Sequence, residues 1–210
     1  DTTYGPYITI DGKKHRVYII ALIDDASRKI TACEAFLEDN YINLMKVIKS
    51  GVSSCGKPKL FSFDNGANYR SNQMTLLGAR IGVAINYCPI YTPTSKAKIE
   101  RFFLTLKNQY LCLIKPNDLR AYIQKYNTTP HSSLEDGMSP NDRFYKESNI
   151  IIEMSQEKIE KSFLLELERT VSPDSVIKID NIEYEVDYHY QSQKVLLRYS
   201  PDLSKVYVVD

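Results

Sequence analysis

Three carboxylates in this chain stand where a sheet could gather them. Asp64 lies at the carboxyl end of the apolar run Lys59 to Phe63, and Asn65 and Gly66, which tolerate a sharp backbone turn, follow it. Ligand sites collect at the carboxyl ends of strands in open α/β folds. Glu100 falls in the first turns of a predicted helix, off the apolar face made by Ile99, Phe102, Phe103, Leu106 and Tyr110. Asp1 opens the first predicted strand; 62 residues separate it from Asp64, and 35 separate Asp64 from Glu100. Such a cluster is what a hard divalent cation requires. Mg²⁺ takes oxygen ligands at about 2.0–2.1 Å and keeps several waters, so two or three carboxylates suffice and phosphates complete the shell. Taken singly, Asp-Asn-Gly is an ordinary turn and one helix glutamate an ordinary solvated residue. Spacing alone does not single them out.

The elements that must position these residues follow from periodicity. Residues 4–10 and 14–23 are β-branched and aromatic runs joined by Asp11-Gly12, a hairpin signal. A third strand, Arg28 to Phe36, follows the turn Asp24-Asp25-Ala26-Ser27, where both aspartates read as turn residues. Tyr41, Leu44, Met45 and Ile48 recur at helical spacing, with Asn40 as N-cap and Gly51 as the stop. A strand from Lys59 to Phe63, a helix near 71–80 and a strand from Val83 to Tyr87 lead into a loop from Pro89 to Ser95. A long helix runs from Lys96 to about Leu113, and shorter ones lie near 118–126 and 140–147. A meander followed by alternating helices and strands is a mixed α/β sheet flanked by helices. Ser155 caps a further helix over 156–168. Short strands then span Val176–Ile179, Ile182–Val186, Lys194–Tyr199 and Val206–Val209, and read as a small β-barrel.

The 210 residues are 43% hydrophobic and 25% charged, the composition of an ordinary folded chain rather than a disordered one. No apolar run approaches the ~18–20 residues of a membrane span. The four cysteines lie at least 22 positions apart, without a CxxC pair, and read as buried thiols in a reducing, cytoplasmic compartment. A net charge of +1 hides an uneven distribution. From Lys96 to Arg120 six basic residues face two acids, whereas in residues 169–210 five Lys/Arg face seven Asp/Glu. A basic stretch is often only a solvated helix face; beside a site it becomes a phosphate contact. His131, after Pro130, reads as structural. The sixteen tyrosines, spread along the whole chain, read mostly as half-buried sheet residues rather than base-stacking platforms.

Several segments match a known pattern together. Phe61-Ser-Phe-Asp-Asn-Gly-Ala-Asn-Tyr resembles the second-aspartate motif of retroviral-type integrases and related DDE transposases. Tyr91-Thr-Pro-Thr-Ser-Lys-Ala-Lys-Ile-Glu100-Arg-Phe resembles their Pro-rich loop entering the helix that bears the glutamate, and Asp1-Thr-Thr-Tyr their first-aspartate strand. Tyr126-Asn-Thr-Thr-Pro-His-Ser-Ser-Leu and Met138-Ser-Pro140 are similar to the segment after the core in bacterial members. The tail, from Arg169-Thr-Val through Ile182-Glu-Tyr-Glu-Val to Arg198-Tyr-Ser-Pro-Asp, resembles the C-terminal barrel of phage-Mu-type transposases.

The resemblance implies an RNase H-like five-stranded mixed sheet over residues 1–148, a helical linker over 149–168 and a small barrel over 169–210. It implies two Mg²⁺ or Mn²⁺ ions held by Asp1, Asp64 and Glu100, with Asp1 and Asp64 at the shared position, and catalysis of DNA strand cleavage and 3′-hydroxyl strand transfer. Lys96, Lys98, Arg101 and Lys107 are expected on phosphates; Lys107, two helical turns past Glu100, shares its face. Asn68 is expected either to orient substrate or to complete a turn. The expected partners are double-stranded DNA (transposon ends and target), further copies of the chain and accessory transposition proteins. Family members carry DNA-binding domains upstream of the first aspartate, so the chain reads as an excised fragment, with recognition of transposon ends mostly upstream. The alternatives are a nuclease of the same fold without strand joining, and a transposase-derived protein that binds DNA or assembles complexes without catalysis. The barrel's acidic balance points to subunit contacts rather than general DNA affinity.

Overall fold

The computed structural model describes residues 1–88, 96–111 and 119–209. The Pro-rich loop over 89–95, and Cys112, Lys115 and Asp118 in the segment 112–118, lie outside the described residues. Two compact units are formed, residues 1–159 and residues 160–210.

The first unit opens with three antiparallel strands, β1 (Thr2–Ile10), β2 (Lys13–Ile23) and β3 (Ile30–Phe36), in the order β1-β2-β3. Asp11 and Gly12 both take positive φ (48° and 76°) between β1 and β2, the conformation that a two-residue hairpin turn requires. The register slips between Tyr4 and Tyr7, where Gly5 and Pro6 together oppose Val17. Proline has no N–H to give the ladder, so a bulge is the natural outcome. Helix α1 (Tyr41–Cys55) starts where expected, with Asn40 Oδ1 accepting from Asn43 N at 2.9 Å. It does not stop at Gly51. Gly51 is buried inside the helix, and a Cβ there would lie 3.1 Å from Leu22 Cδ1 and 3.6 Å from Ala32 Cβ. The glycine is a close-approach residue between helix and sheet, and the stop moves to Gly56.

Strand β4 (Leu60–Phe63), helix α2 (Asn72–Ile81) and strand β5 (Ala84–Tyr87) follow; β4 and β5 pair in parallel. Among the described residues no ladder joins this pair to the β1–β3 meander, so the expected five-stranded sheet divides into three strands and two. The two sheets are bridged instead by side chains: Thr2 Oγ1 lies 3.0 Å from Tyr69 OH. Helix α3 (Ala97–Leu106) continues into one π-helical turn, Lys107–Leu111. Its face of Ile99, Phe102, Phe103, Leu106 and Tyr110 shares a core with Ile19 and Ala21 of β2, Ile30 of β3 and Leu119 of helix α4 (Leu119–Thr128). Helix α5 (Pro140–Tyr145) begins at a Ser139–Asp142 capping box.

Helix α6 (Gln156–Ser162) takes its cap from Ser155, whose hydroxyl accepts from Lys158 N at 3.3 Å. The helix expected over 156–168 ends six residues early. Leu165-Glu-Leu-Glu alternates with period two, and Leu165–Thr170 becomes strand β6. The remaining strands are β7 (Val176–Ile179), β8 (Ile182–Glu185), β9 (Lys194–Tyr199) and β10 (Val206–Val209). They form an antiparallel sheet β10-β9-β6 and a hairpin β7-β8 around Val171, Ile177, Ile179, Val195 and Leu197. Among the described residues these ladders do not close into the expected barrel. No helix among the described residues is long and apolar enough to cross a membrane.

One side chain ties the helices to the sheet edge. Asn127, buried in α4, accepts from Ile30 N through Oδ1 and donates to Ile30 O through Nδ2, both at 2.9 Å. The amide thus acts as one more strand residue on β3. Asn127→Ala should cost about 1–3 kcal/mol in urea unfolding, because it leaves a buried N–H and C=O unpaired. Asn127→Asp should cost more, since it removes the donor and adds a buried charge.

Candidate functional site

Asp1 continues the β1–β2 ladder by one residue: its nitrogen donates to Ala21 O at 2.8 Å, and Ala21 N donates to Asp1 O at 2.9 Å. Ala21 is fully buried, so this end of the strand is anchored in the core. The Asp1 carboxylate has two separate tasks. Oδ1 accepts from Thr2 N at 2.8 Å, while Oδ2 lies 3.4 Å from Lys96 Nζ.

Asp64 is arranged the same way from the other sheet. Cys88 N donates to Phe63 O at 2.8 Å, which carries the β4–β5 pairing up to the aspartate. Asn65 Nδ2 donates to Cys88 O at 2.8 Å and fixes the turn beyond it. Asp64 Oδ1 accepts from Gly66 N at 2.9 Å, and Oδ2 meets Lys96 Nζ at 2.9 Å. A Cβ at Gly66 would stand 2.9 Å from that same Oδ1, so only glycine lets the backbone approach this closely. Burial raises the Asp64 pKa, but the Lys96 ammonium and the Gly66 N–H more than offset it and hold the carboxyl below its ordinary value.

Tyr69 holds the two halves in register. Its ring stacks on Phe63 (centroids 5.1 Å apart), its carbonyl accepts from Tyr87 OH at 2.9 Å, and its phenol reaches Thr2 beside Asp1. Burial pushes the phenol up to about 12, so it stays a neutral hydrogen-bonding strut. It closes the segment Phe61 to Tyr69 that resembles the second-aspartate motif, the one sequence signal that sets it apart from the other fifteen tyrosines.

The structure brings some of the predicted residues together and leaves others apart. Asp1 and Asp64 come together, and Lys96, expected on a phosphate, stands between them. Glu100 does not join them: it is exposed on α3, and among the described residues no three His, Cys, Asp or Glu side chains form a metal-holding group. Its backbone N–H donates to Lys96 O at 3.0 Å, so the two residues lie one turn apart on one face of α3. That spacing was available in Lys96-Ala-Lys-Ile-Glu100 and is the signal that would have linked Lys96 to the carboxylates. Lys98 is held by Asp25, whose Oδ2 lies 2.6 Å from its Nζ, and also donates to Asp25 O at 3.0 Å. Arg101 is exposed and Lys107 half-buried further along the helix. Asn68 donates to Asp39 O at 3.2 Å and lies 3.3 Å from Asp39 Oδ1, a long-range tie between the loop after β4 and the segment before α1.

Asp24 is a turn residue as expected, its Oδ2 accepting from Ser27 N at 2.8 Å and Ser27 Oγ at 2.6 Å. His131 Nδ1 pairs with Ser133 Oγ at 2.9 Å and its ring meets Tyr126 edge-on. Asp1, Asp64, Lys96, Lys98 and Asp25 all line one cleft of about 670 Å³, floored by Leu22, Phe61 and Ile99.

Residues 1–93 match the integrase core domain, and residues 161–210 match the Mu transposase C-terminal domain. The transposase for transposon Tn552 of Staphylococcus aureus is 24% identical over 233 residues, an alignment that takes in 94% of this chain and 47% of that protein. The chain therefore spans about half the length of this curated relative. Among solved structures, the simian T-cell lymphotropic virus intasome in complex with the PP2A regulatory subunit B56 gamma matches with a TM-score of 0.58 at 14% identity, over 100% of this chain and 73% of that one. The HTLV-2 integrase catalytic core domain in complex with magnesium matches with a TM-score of 0.53 at 16% identity, over 69% and 92%. At these identities the structural likeness is one of fold. Residues 1–93 are thus similar to the integrase core domain and residues 161–210 to the Mu transposase C-terminal domain, and the chain as a whole is similar to the Tn552 transposase.

Proposed function

We propose that this chain is the catalytic core and C-terminal segment of a metal-dependent DNA transposase, which cuts strands at transposon ends and joins the freed 3′-hydroxyl to target DNA. One observation carries the reading. Asp1 Oδ2 and Asp64 Oδ2 converge on a single cation, while the second oxygen of each carboxylate is held by a backbone N–H. Two oriented carboxylate oxygens aimed at one positive centre are the donor set of a hard cation. Asp1 and Asp64 would hold it, with Glu100 supplied from the first turns of α3. Mg²⁺ or Mn²⁺ there, as one ion or a pair, would stabilise the charge that develops on the phosphoryl oxygens and favour ionisation of the attacking hydroxyl.

The chain's own residues do the positioning. Thr2 N–H and Gly66 N–H keep the two carboxylates from rotating, and the apolar face of α3 fixes where its first turn points. Arg101, Lys107, Lys98 and Lys96 would take DNA phosphates along that helix, contacts that set register and salt dependence rather than sequence preference. Asn68 would keep the loop after β4 in place through Asp39. No side chain needs to bond covalently to the DNA. The intasome and the magnesium-bound integrase core among the fold relatives support a DNA substrate, a divalent ion and an assembly of several copies. The acidic second unit suits subunit contacts in such an assembly.

Glu100 standing apart favours a second reading, a transposase relative that binds DNA without catalysis. A strand-transfer assay separates the readings: the chain, Mg²⁺ or Mn²⁺, a pre-cut transposon-end duplex and a target plasmid. Joined products that fall by at least ~100-fold in Asp64→Asn and in Glu100→Gln, with DNA affinity kept in Glu100→Gln, are the expected result. Cleavage without joining would indicate a nuclease, and binding without either would favour the non-catalytic relative. In titrations at several salt concentrations, Arg101→Ala and Lys107→Ala should each lower the slope of log K against log salt by about 1. Unchanged slopes would remove these residues from the DNA surface.

A further inference from the structure

Lys96 is badly placed for its own helix. It occupies the N-cap of α3, where a side chain that accepts from the first N–H groups stabilises and a positive charge opposes the helix dipole. It makes no side-chain cap hydrogen bond there. Its ammonium instead reaches 2.9 Å from Asp64 Oδ2 and 3.4 Å from Asp1 Oδ2, with side-chain exposures of 23% for Lys96, 36% for Asp64 and 19% for Asp1. The neighbouring Lys98 makes the corresponding contact with Asp25, so two tethered cations pin the start of α3 to acids of the sheet edges.

We propose that Lys96 is a built-in counter-cation: it holds the Asp1–Asp64 pair together, a divalent ion displaces it, and the freed ammonium then serves as a DNA phosphate contact. The inference rests on the metal reading of the site given above. Two carboxylates aimed at one point repel each other unless a positive charge lies between them, and in this chain the charge comes from the same helix that carries Glu100. Ammonium and divalent ion compete for the same two oxygens, so metal binding must release Lys96. Release is eased because the helix N-terminus repels the lysine. It also clears the face of α3 on which Glu100 sits one turn away. Metal loading and DNA affinity are thereby coupled through one side chain.

Two measurements on the whole chain test this without reference to activity. In the first, the protein is acetylated briefly with N-hydroxysuccinimide acetate with and without Mn²⁺, and Lys96 modification is read by mass spectrometry, with Lys178 as the internal reference. Mn²⁺ should raise Lys96 acetylation several-fold and leave Lys178 unchanged. In the second, Mn²⁺ binding is measured by electron paramagnetic resonance; Lys96→Met should tighten it by about tenfold, the effect expected from removing one competing charge at this distance. Asp64→Asn should abolish both effects. Mn²⁺ binding that leaves Lys96 acetylation unchanged would overturn the proposal and keep the metal site, as would binding that Lys96→Met leaves unchanged or weakens. Absence of Mn²⁺ binding in wild type and Lys96→Met alike would overturn the metal site itself, and the displacement with it. The acetylation arm uses the unaltered protein and does not depend on the variant folding.

Discussion

The architecture of the first unit turns on bringing two negative charges close together at the ends of two separate sheets. Asp1 arrives on the strand that pairs with β2, and Asp64 on the loop after β4. No backbone ladder joins the two sheets in the described residues; the Thr2–Tyr69 contact bridges them, and a cation between the carboxylates offsets their Coulomb repulsion. Lys96, from a third element, supplies the charge that makes the juxtaposition favourable. Each carboxylate spends one oxygen on a backbone N–H, so only the remaining oxygen is available, and both remaining oxygens point at the same place.

That convergence is only as rigid as its supports, and all of them are rooted in packing. Asp1 is tied to Ala21, which has no exposed surface. Asp64 is tied through Gly66, Asn65 and the stacked pair Phe63–Tyr69 to the β4–β5 strands. Lys96 begins a helix whose inner face shares a core with β2, β3 and α4, and Asn127 stitches that helix layer to the edge of β3. The alternation of β2 explains how one strand serves two layers. Ile19 and Ala21 face α3, whereas Leu22 faces Gly51 of α1. Buried apolar surface thus sets the direction of α3, and the direction of α3 sets where its first-turn charges stand.

Local signals made much of this legible in the sequence. Asp11-Gly12 marked the hairpin, Asn40 and Ser155 marked helix starts, and the boundaries of β9 and β10 fell where β-branched runs met turn residues. The misreadings came where packing overrides a local signal. Gly51 looked like a helix stop because glycine often is one, yet here the absent side chain admits the sheet. Ser155 marks where α6 starts but not where it ends, and the switch to period two at Leu165 ends it. At the site, the resemblance of the segments around Asp1 and Asp64 to integrase and DDE transposase motifs points to two carboxylates, which the fold places on one lysine. Lys96 reads as a phosphate contact because its basic segment lies beside that site, whereas the fold turns it inward between the two carboxylates. The division of the expected sheet into three strands and two depends on long-range pairing, which no local pattern carries.

We propose that Asp1 and Asp64 gather a divalent cation at the point on which their free oxygens converge. Diffraction from crystals grown with Mn²⁺, recorded at the manganese absorption edge, tests it most directly. An anomalous peak is expected beside the Asp1 and Asp64 carboxylates, with Lys96 Nζ moved away from both oxygens. Density for the Lys96 ammonium still between the carboxylates, with manganese elsewhere or nowhere, would contradict it.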